Sequence, residues 1–408
     1  MKKVFIIAAK STVSLIRFIV PVFAKVNKIL AIIILVMTGC GGNKQSSDAG
    51  ISIDVTANYP KKELILQDFM DVEYIPLETV DGFYCQGMVQ AIGIDIILVT
   101  NQALFNDGDI FVFDRTGKGL RKINRFGRGS EEYTDISSIF LDDDNGEVFV
   151  IDNSASKTMV YDLFGGFKRS LPHKEGARYT NVYGFDRENL ILRDLSFEFG
   201  GETPFYIVSK QDGSIVNDIQ IPYKERKSTT IIQQDGRSIH VMPIIHFPVI
   251  FYQDGWILTE TSADTVYKYL PDHSMTPFMT RTPSVQSMMP EIFLFPLILT
   301  DSYYFMKTEK KEYDFSTKKG LQKAYLMYDR KEKKIFEFIV YNDDFSNKTT
   351  VNMVQRTINN EIAFWQKLEA DELVEDLEKG ILKGKLKEVA QRLEEESNPV
   401  IMLVKHKK

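Results

Sequence analysis

Two segments 48 residues apart carry one pattern: Ile110-Phe111-Val112-Phe113-Asp114-Arg115-Thr116-Gly117 and Thr158-Met159-Val160-Tyr161-Asp162-Leu163-Phe164-Gly165. Each is a run of β-branched and aromatic residues followed by an Asp and, three positions on, a Gly, which is a strand running into a tight turn. Weaker copies follow at Phe205-Tyr206-Ile207-Val208-Ser209 with Asp212-Gly213, at Thr265-Val266-Tyr267-Lys268, and at Tyr325-Leu326-Met327-Tyr328-Asp329. Further strands precede the hairpins, as at 146–152 and 255–260. A unit of roughly 45 to 60 residues with about four short strands cannot bury its own faces, so neighbouring units must cover one another, as in a β-propeller.

Five hairpins leave two orphan strands, Val72-Glu73-Tyr74-Ile75-Pro76-Leu77-Glu78 and Pro399-Val400-Ile401-Met402-Leu403-Val404. Pairing them in a sixth blade closes the ring and leaves no open seam. The fold class is therefore all-β: a six-bladed propeller of four-stranded antiparallel blades over 61–408, with a closing strand at 399–404. Between about 361 and 397 the pattern changes. Leu368, Leu373, Leu377, Leu382, Leu386, Val389 and Leu393 recur at three to five residues, which predicts a helical insertion near the C-terminus, broken around Gly380 and Gly384.

The pattern resembles a family of six-bladed propeller lipoproteins of Gram-negative bacteria, related in shape to NHL-type propellers. The residues that carry the likeness are Val72-Glu73-Tyr74-Ile75-Pro76-Leu77-Glu78-Thr79, Ile110 to Asp114 with Gly117, Phe126-Gly127-Arg128-Gly129-Ser130-Glu131-Glu132-Tyr133, and Asn398-Pro399-Val400. The resemblance implies the fold and an envelope location, and no particular activity.

The N-terminal region agrees with that location. Lys25 and Lys28 flank an apolar run from Ile29 to Met37, and Thr38-Gly39-Cys40 ends it, which resembles a lipobox. The run is shorter than the ~20 residues that a bilayer-spanning helix needs. Residues 1–39 read as a signal peptide, Cys40 as the lipidated residue anchoring the chain to a membrane, and 40–60 as a flexible tether.

The formal charge of −6 and the lack of a basic region argue against nucleic acid as a partner. Cys40 and Cys85 are the only cysteines, so with Cys40 acylated Cys85 has no intramolecular partner and reads as a small buried residue. Phosphate loops, GxGxxG, HExxH and GxSxG are absent. Asp142-Asp143-Asp144-Asn145-Gly146 fails as a calcium loop, since Leu141 stands where the first ligand belongs, and reads as a turn.

No catalytic residue, metal site or cofactor is expected. His240 and His246 are the only closely spaced pair among five histidines, and Pro243 and Pro248 interrupt the strand that would align them. Candidate binding residues are Arg125, Arg128 and Glu131 in an interblade loop, together with His240 and His246. Loop length is concentrated on the face carrying the second-to-third-strand and interblade connections, which predicts the binding surface there. Two functions follow: a non-catalytic binding or scaffolding module for a protein, peptide or glycan of the envelope, or a propeller lyase or hydrolase with its site at the axis. The second would draw several histidines or carboxylates onto the channel.

Overall fold

The second strands of the repeats are apolar along nearly their whole length because neighbours cover both of their faces. Ile96–Thr100, Glu147–Asp152 and Gly255–Leu258 are buried throughout, whereas outer strands such as Gly119–Asn124 and Phe167–Pro172 alternate. A computed structural model describes residues 50–101 and 107–407; the proposed leader and Cys40 lie outside them.

Blade I comprises Met88–Ile92, Ile96–Thr100, Asp109–Asp114 and Gly119–Asn124, and blade II Ser138–Asp142, Glu147–Asp152, Lys157–Asp162 and Phe167–Pro172. Blade III comprises Tyr179–Gly184, Asn189–Asp194, Phe205–Ser209 and Ile215–Ile219. Blade IV holds Val249–Tyr252, Gly255–Leu258, Thr265–Tyr269 and Met275–Thr282, and blade V Ile292–Leu299, Tyr303–Lys310, Lys323–Asp329 and Lys334–Tyr341. Each is an antiparallel meander from the axis outward. The recurring Asp and Gly belong to the turn between third and fourth strands. Asp114 Oδ1 accepts from the backbone N–H groups of Thr116 and Lys118, Asp162 Oδ1 from those of Phe164 and Gly166, and Gly117 and Gly165 take φ of +88° and +85°. His273 and Lys333 fill that left-handed position in blades IV and V, which is why those copies of the repeat are faint.

Blade VI joins the two ends of the propeller. Val400–His406 lies between Ile362–Leu368 and Met70–Pro76, with Val400 opposite Pro76 and Val404 opposite Val72. It has three strands. The innermost place is taken by residues 351–358, which run without a sheet ladder to a turn where Asn359 Oδ1 accepts from the N–H groups of Glu361 and Ile362.

Six apolar clusters, one at each blade junction, show that the ring is closed. Leu98 and Val112 pack on Val150 and Met159 between blades I and II; Ile97 and Val99, pointing the other way along the same strand, join Ile75 and Leu403 between blades VI and I. Equivalent clusters sit between II and III (Ile151, Leu190), III and IV (Phe205, Leu258), IV and V (Ile257, Met306), and V and VI (Phe305, Met402).

Two boundaries differ from the sequence reading. Residues 362–368, assigned to the helical insertion, form a strand of blade VI, because Ala363 and Phe364 are needed in the junction with blade V; the helices are α1 (Ala370–Glu378) and α2 (Gly384–Ala390), with Gly380 at φ +69° between them. Of the segment 40–60 read as a flexible tether, the described part from Gly50 onward includes a strand. Ile51–Asp54 runs parallel to Met275–Thr282 at the outer edge of blade IV, and Lys61–Ile65 does the same on Lys334–Tyr341 of blade V. Among the described residues no helix is long and apolar enough to cross a membrane.

Candidate functional site

First strands of a propeller run in one direction, so the turns that follow them collect at one end of the axis. Here they surround a cavity of about 440 Å³. Its wall is built by the ends of the first strands of blades I, II and III, by Phe251 and Trp256 of blade IV, and by residues 356–359. The aromatic side is continuous: Phe185 lies 4.7 Å from Trp256, and Phe251 lies 5.3 Å from Trp256, between ring centroids. The Trp256 indole Nε1 is buried and has no hydrogen-bond partner, a costly arrangement for a donor.

Arg356 spans the axis. Nη2 donates to the carbonyl oxygen of Val182 (2.9 Å), Nε donates to the Tyr183 hydroxyl (3.2 Å), and the guanidinium lies 4.7 Å from the Tyr183 ring centroid. Blade III stands opposite blade VI, so this one side chain braces the ring across its diameter.

The polar side is set by a buried ion pair. Lys210 Nζ donates to Asp142 Oδ2 (2.7 Å) and to the carbonyl oxygen of Asp186 (2.9 Å), tying the first turns of blades II and III together. Asp143 is exposed at the rim, but its carboxylate turns inward to accept from the Ile94 N–H (3.1 Å). The desolvation this brings raises the carboxyl above its ordinary value, and the charges of Asp95, Asp144 and Asp142 add to the effect. No histidine lines the cavity, whereas the carboxylates of Asp142, Asp143, Asp144 and Asp186 are among its lining residues. Among the described residues no group of His, Cys, Asp and Glu could hold a metal ion.

The residues singled out from sequence lie elsewhere. Arg125, Arg128 and Glu131 occupy the connection from blade I to blade II, on the face opposite the cavity. Arg125 Nε donates to the Gly165 carbonyl oxygen (2.9 Å), and the Glu131 carbonyl accepts from the Tyr161 hydroxyl (2.9 Å), while the side chains of Arg128 and Glu131 are exposed. His240 stands on a hairpin in the connection from blade III to blade IV, 5.6 Å from Phe315 between ring centroids. Pro243 ends that strand, and His246 lies beyond it, stacked on Phe295 at 4.6 Å, where burial pushes its pKa down to about 3. The two imidazoles therefore have separate environments. Cys40 lies outside the described residues.

The cavity residues escaped the sequence reading because the repeat marks third and fourth strands. Counting two strands back from each repeating turn would have located the ends of the first strands. Arg356 sits in the one inner segment that has no repeat.

A family model described as a 6-bladed beta-propeller matches residues 41–364. The chain belongs to this family, DUF5128. Among solved structures, a candidate exported protein of Bacteroides fragilis is similar at 15% identity and a TM-score of 0.53, over 88% of this chain and 99% of that one. A member of the duf4221 family from Bacteroides vulgatus matches at 9% identity and TM-score 0.45, over 83% and 98% of the two chains. Virginiamycin B lyase from Staphylococcus aureus matches at 11% and 0.36, over 63% and 73%. No curated protein matches the chain. The family and the first of these structures agree on the propeller fold and say nothing of chemistry.

Proposed function

We propose that this family member is a lipid-anchored binding protein of the bacterial envelope, held by Cys40 outside the cytoplasm, which takes part of a protein, peptide or glycan into the axial cavity. The observation that carries this reading is an axial cavity of about 440 Å³ with Phe185, Phe251 and Trp256 on one side and Lys210, Asp142 and Arg356 on the other. A cavity of this size accepts one sugar ring or a chain end, and apolar walls with a few convergent polar groups are what such sites use. A ligand would pack on the rings of Phe185, Phe251 and Trp256 and meet the polar groups of the opposite side. No cofactor or reaction is needed.

The test uses intrinsic fluorescence. With Trp365→Phe, Trp256 is the sole emitter. Screening envelope oligosaccharides and short peptides should find a probe that shifts Trp256 emission, with the shift lost in Tyr183→Ala and in Arg356→Ala. A probe that binds without altering Trp256 and is lost in Arg128→Ala would move the site to the long-loop face and refute this reading.

A further inference from the structure

A two-stranded ribbon packed on one side is expected to turn polar residues outward. The hairpin Thr230–Asp235 and Ser238–Pro243, in the connection from blade III to blade IV, departs from this by also turning aliphatic residues outward. Ile232 lies opposite Val241, and Ile239 follows on the same face; these are 63%, 54% and 66% exposed. The other face carries Ile231 opposite Met242, both half-buried, and then Gln233 opposite His240, with His240 beside Phe315 of the neighbouring hairpin of blade V. Ile245, at the base, is also exposed.

That neighbouring segment, 310–323, holds five lysines against two carboxylates in a chain whose net charge is −6. Lys310 pairs with Glu312 and Lys323 with Glu309, whereas Lys311, Lys318 and Lys319 have no carboxylate within ion-pair distance among the described residues. Aliphatic residues standing clear of the surface beside unneutralised lysines are the composition that partitions into an anionic lipid interface: the former enter the acyl boundary and the latter meet headgroup phosphates. A protein partner would supply carboxylates as well as apolar surface, and would leave this proximity to the anchor unexplained.

Both hairpins lie on the face opposite the cavity. Chain length permits the contact. Ile51 pairs beside Met279, and Asp54 reaches Thr282 at the end of blade IV on that same face. Gly50 therefore stands within about 15 Å of that face, and the ten residue steps from Cys40 to Gly50 extend at most about 35 Å.

We infer that Ile232, Ile239 and Val241, flanked by Lys311, Lys318 and Lys319, form a second contact with an anionic lipid surface, which lays the long-loop face on the membrane and opens the axial cavity away from it. The inference rests on the lipid-anchor reading for its membrane. The experiment separates the two. The full chain in a Cys85→Ala background, purified from membranes, is first weighed intact to read acylation of Cys40. Nitroxide labels at Ile232→Cys, Ile239→Cys and, as control, Phe164→Cys on the cavity face then report depth in phosphatidylethanolamine–phosphatidylglycerol vesicles. Labels at 232 and 239 should be reached by oxygen and shielded from a water-soluble nickel complex, and the label at 164 should behave in the opposite way. Lys318→Glu with Lys319→Glu should lower vesicle partitioning of the Cys40→Ala chain by about fivefold per charge removed. An acylated chain whose 232 and 239 labels stay in water overturns the inference and leaves the anchor standing. An unacylated chain with those labels in lipid overturns the anchor and leaves the inference.

Discussion

Arg356 donates across the propeller axis to the carbonyl oxygen of Val182, 2.9 Å away, from the only blade whose innermost segment lacks a sheet ladder. The unladdered segment 351–358 is thereby held near its end by a side chain, while at its start the Val351 N–H donates to the Val340 carbonyl oxygen.

Arg356→Ala should therefore destabilise the protein by about 2 kcal/mol, the range for hydrogen bonds to a charged group. Arg356→Lys should recover little of this, since an ammonium cannot reproduce the fork that reaches both Val182 and Tyr183. Urea unfolding of the three proteins checks both statements; equal midpoints would show that the brace carries no load.

Removing 399–408 should abolish soluble folding, because Val400–His406 is the middle strand of blade VI and its loss unpairs both neighbours. A milder probe is Leu403→Ala. Leu403 is fully buried between blades VI and I, and truncation should cost about 2–5 kcal/mol. A truncated chain with an unchanged cooperative melt would contradict the closure.

Turn chemistry gives a paired prediction of opposite sign. Gly117→Ala puts a methyl group against the carbonyl oxygen of Pro76 at φ +88°, and should cost at least about 2 kcal/mol. Lys333→Gly relieves a non-glycine residue at φ +54° and should gain up to about 1 kcal/mol. Thermal melts of both variants, one shifted down and the other up, are the expected result.

Acid should weaken the fold through His173. Burial holds its imidazole neutral down to about 4, against an ordinary value of 6.5, with the ring 4.4 Å from Tyr179 between centroids and Nε2 2.9 Å from Thr158 Oγ1. Between those values the unfolded chain binds a proton that the native chain refuses. Stability therefore rises with pH across the window, by up to about 3 kcal/mol in total. His173→Gln should reduce the dependence between pH 6.5 and 4, leaving the share contributed by His246, which burial holds neutral down to about 3; an unchanged slope would assign acid sensitivity elsewhere.

The hairpins were legible in the sequence because Asp114, Asp162 and their glycines satisfy a turn locally, so the signal survives without tertiary context. The six-fold closure was legible because two strands had no local partner. Strand identity in 362–368 was obscured by leucine spacing that continues into α1. The cavity was not legible, since its wall gathers residues from four blades and from the segment 356–359, and no short-range spacing relates Trp256 to Arg356. His240 and His246 illustrate the converse: closeness in sequence was undone by Pro243, which ends the strand between them.

The parallel strand Ile51–Asp54 also decides how the propeller answers to force. A pull on the chain ahead of Gly50, directed along that strand, loads its ladder with Met279–Thr282 lengthwise, so the hydrogen bonds share the tension instead of opening one after another. Lys61–Ile65, on blade V, repeats the arrangement a few residues on. Tension applied ahead of Gly50 would thus meet two successive shear clamps before it reached the ring.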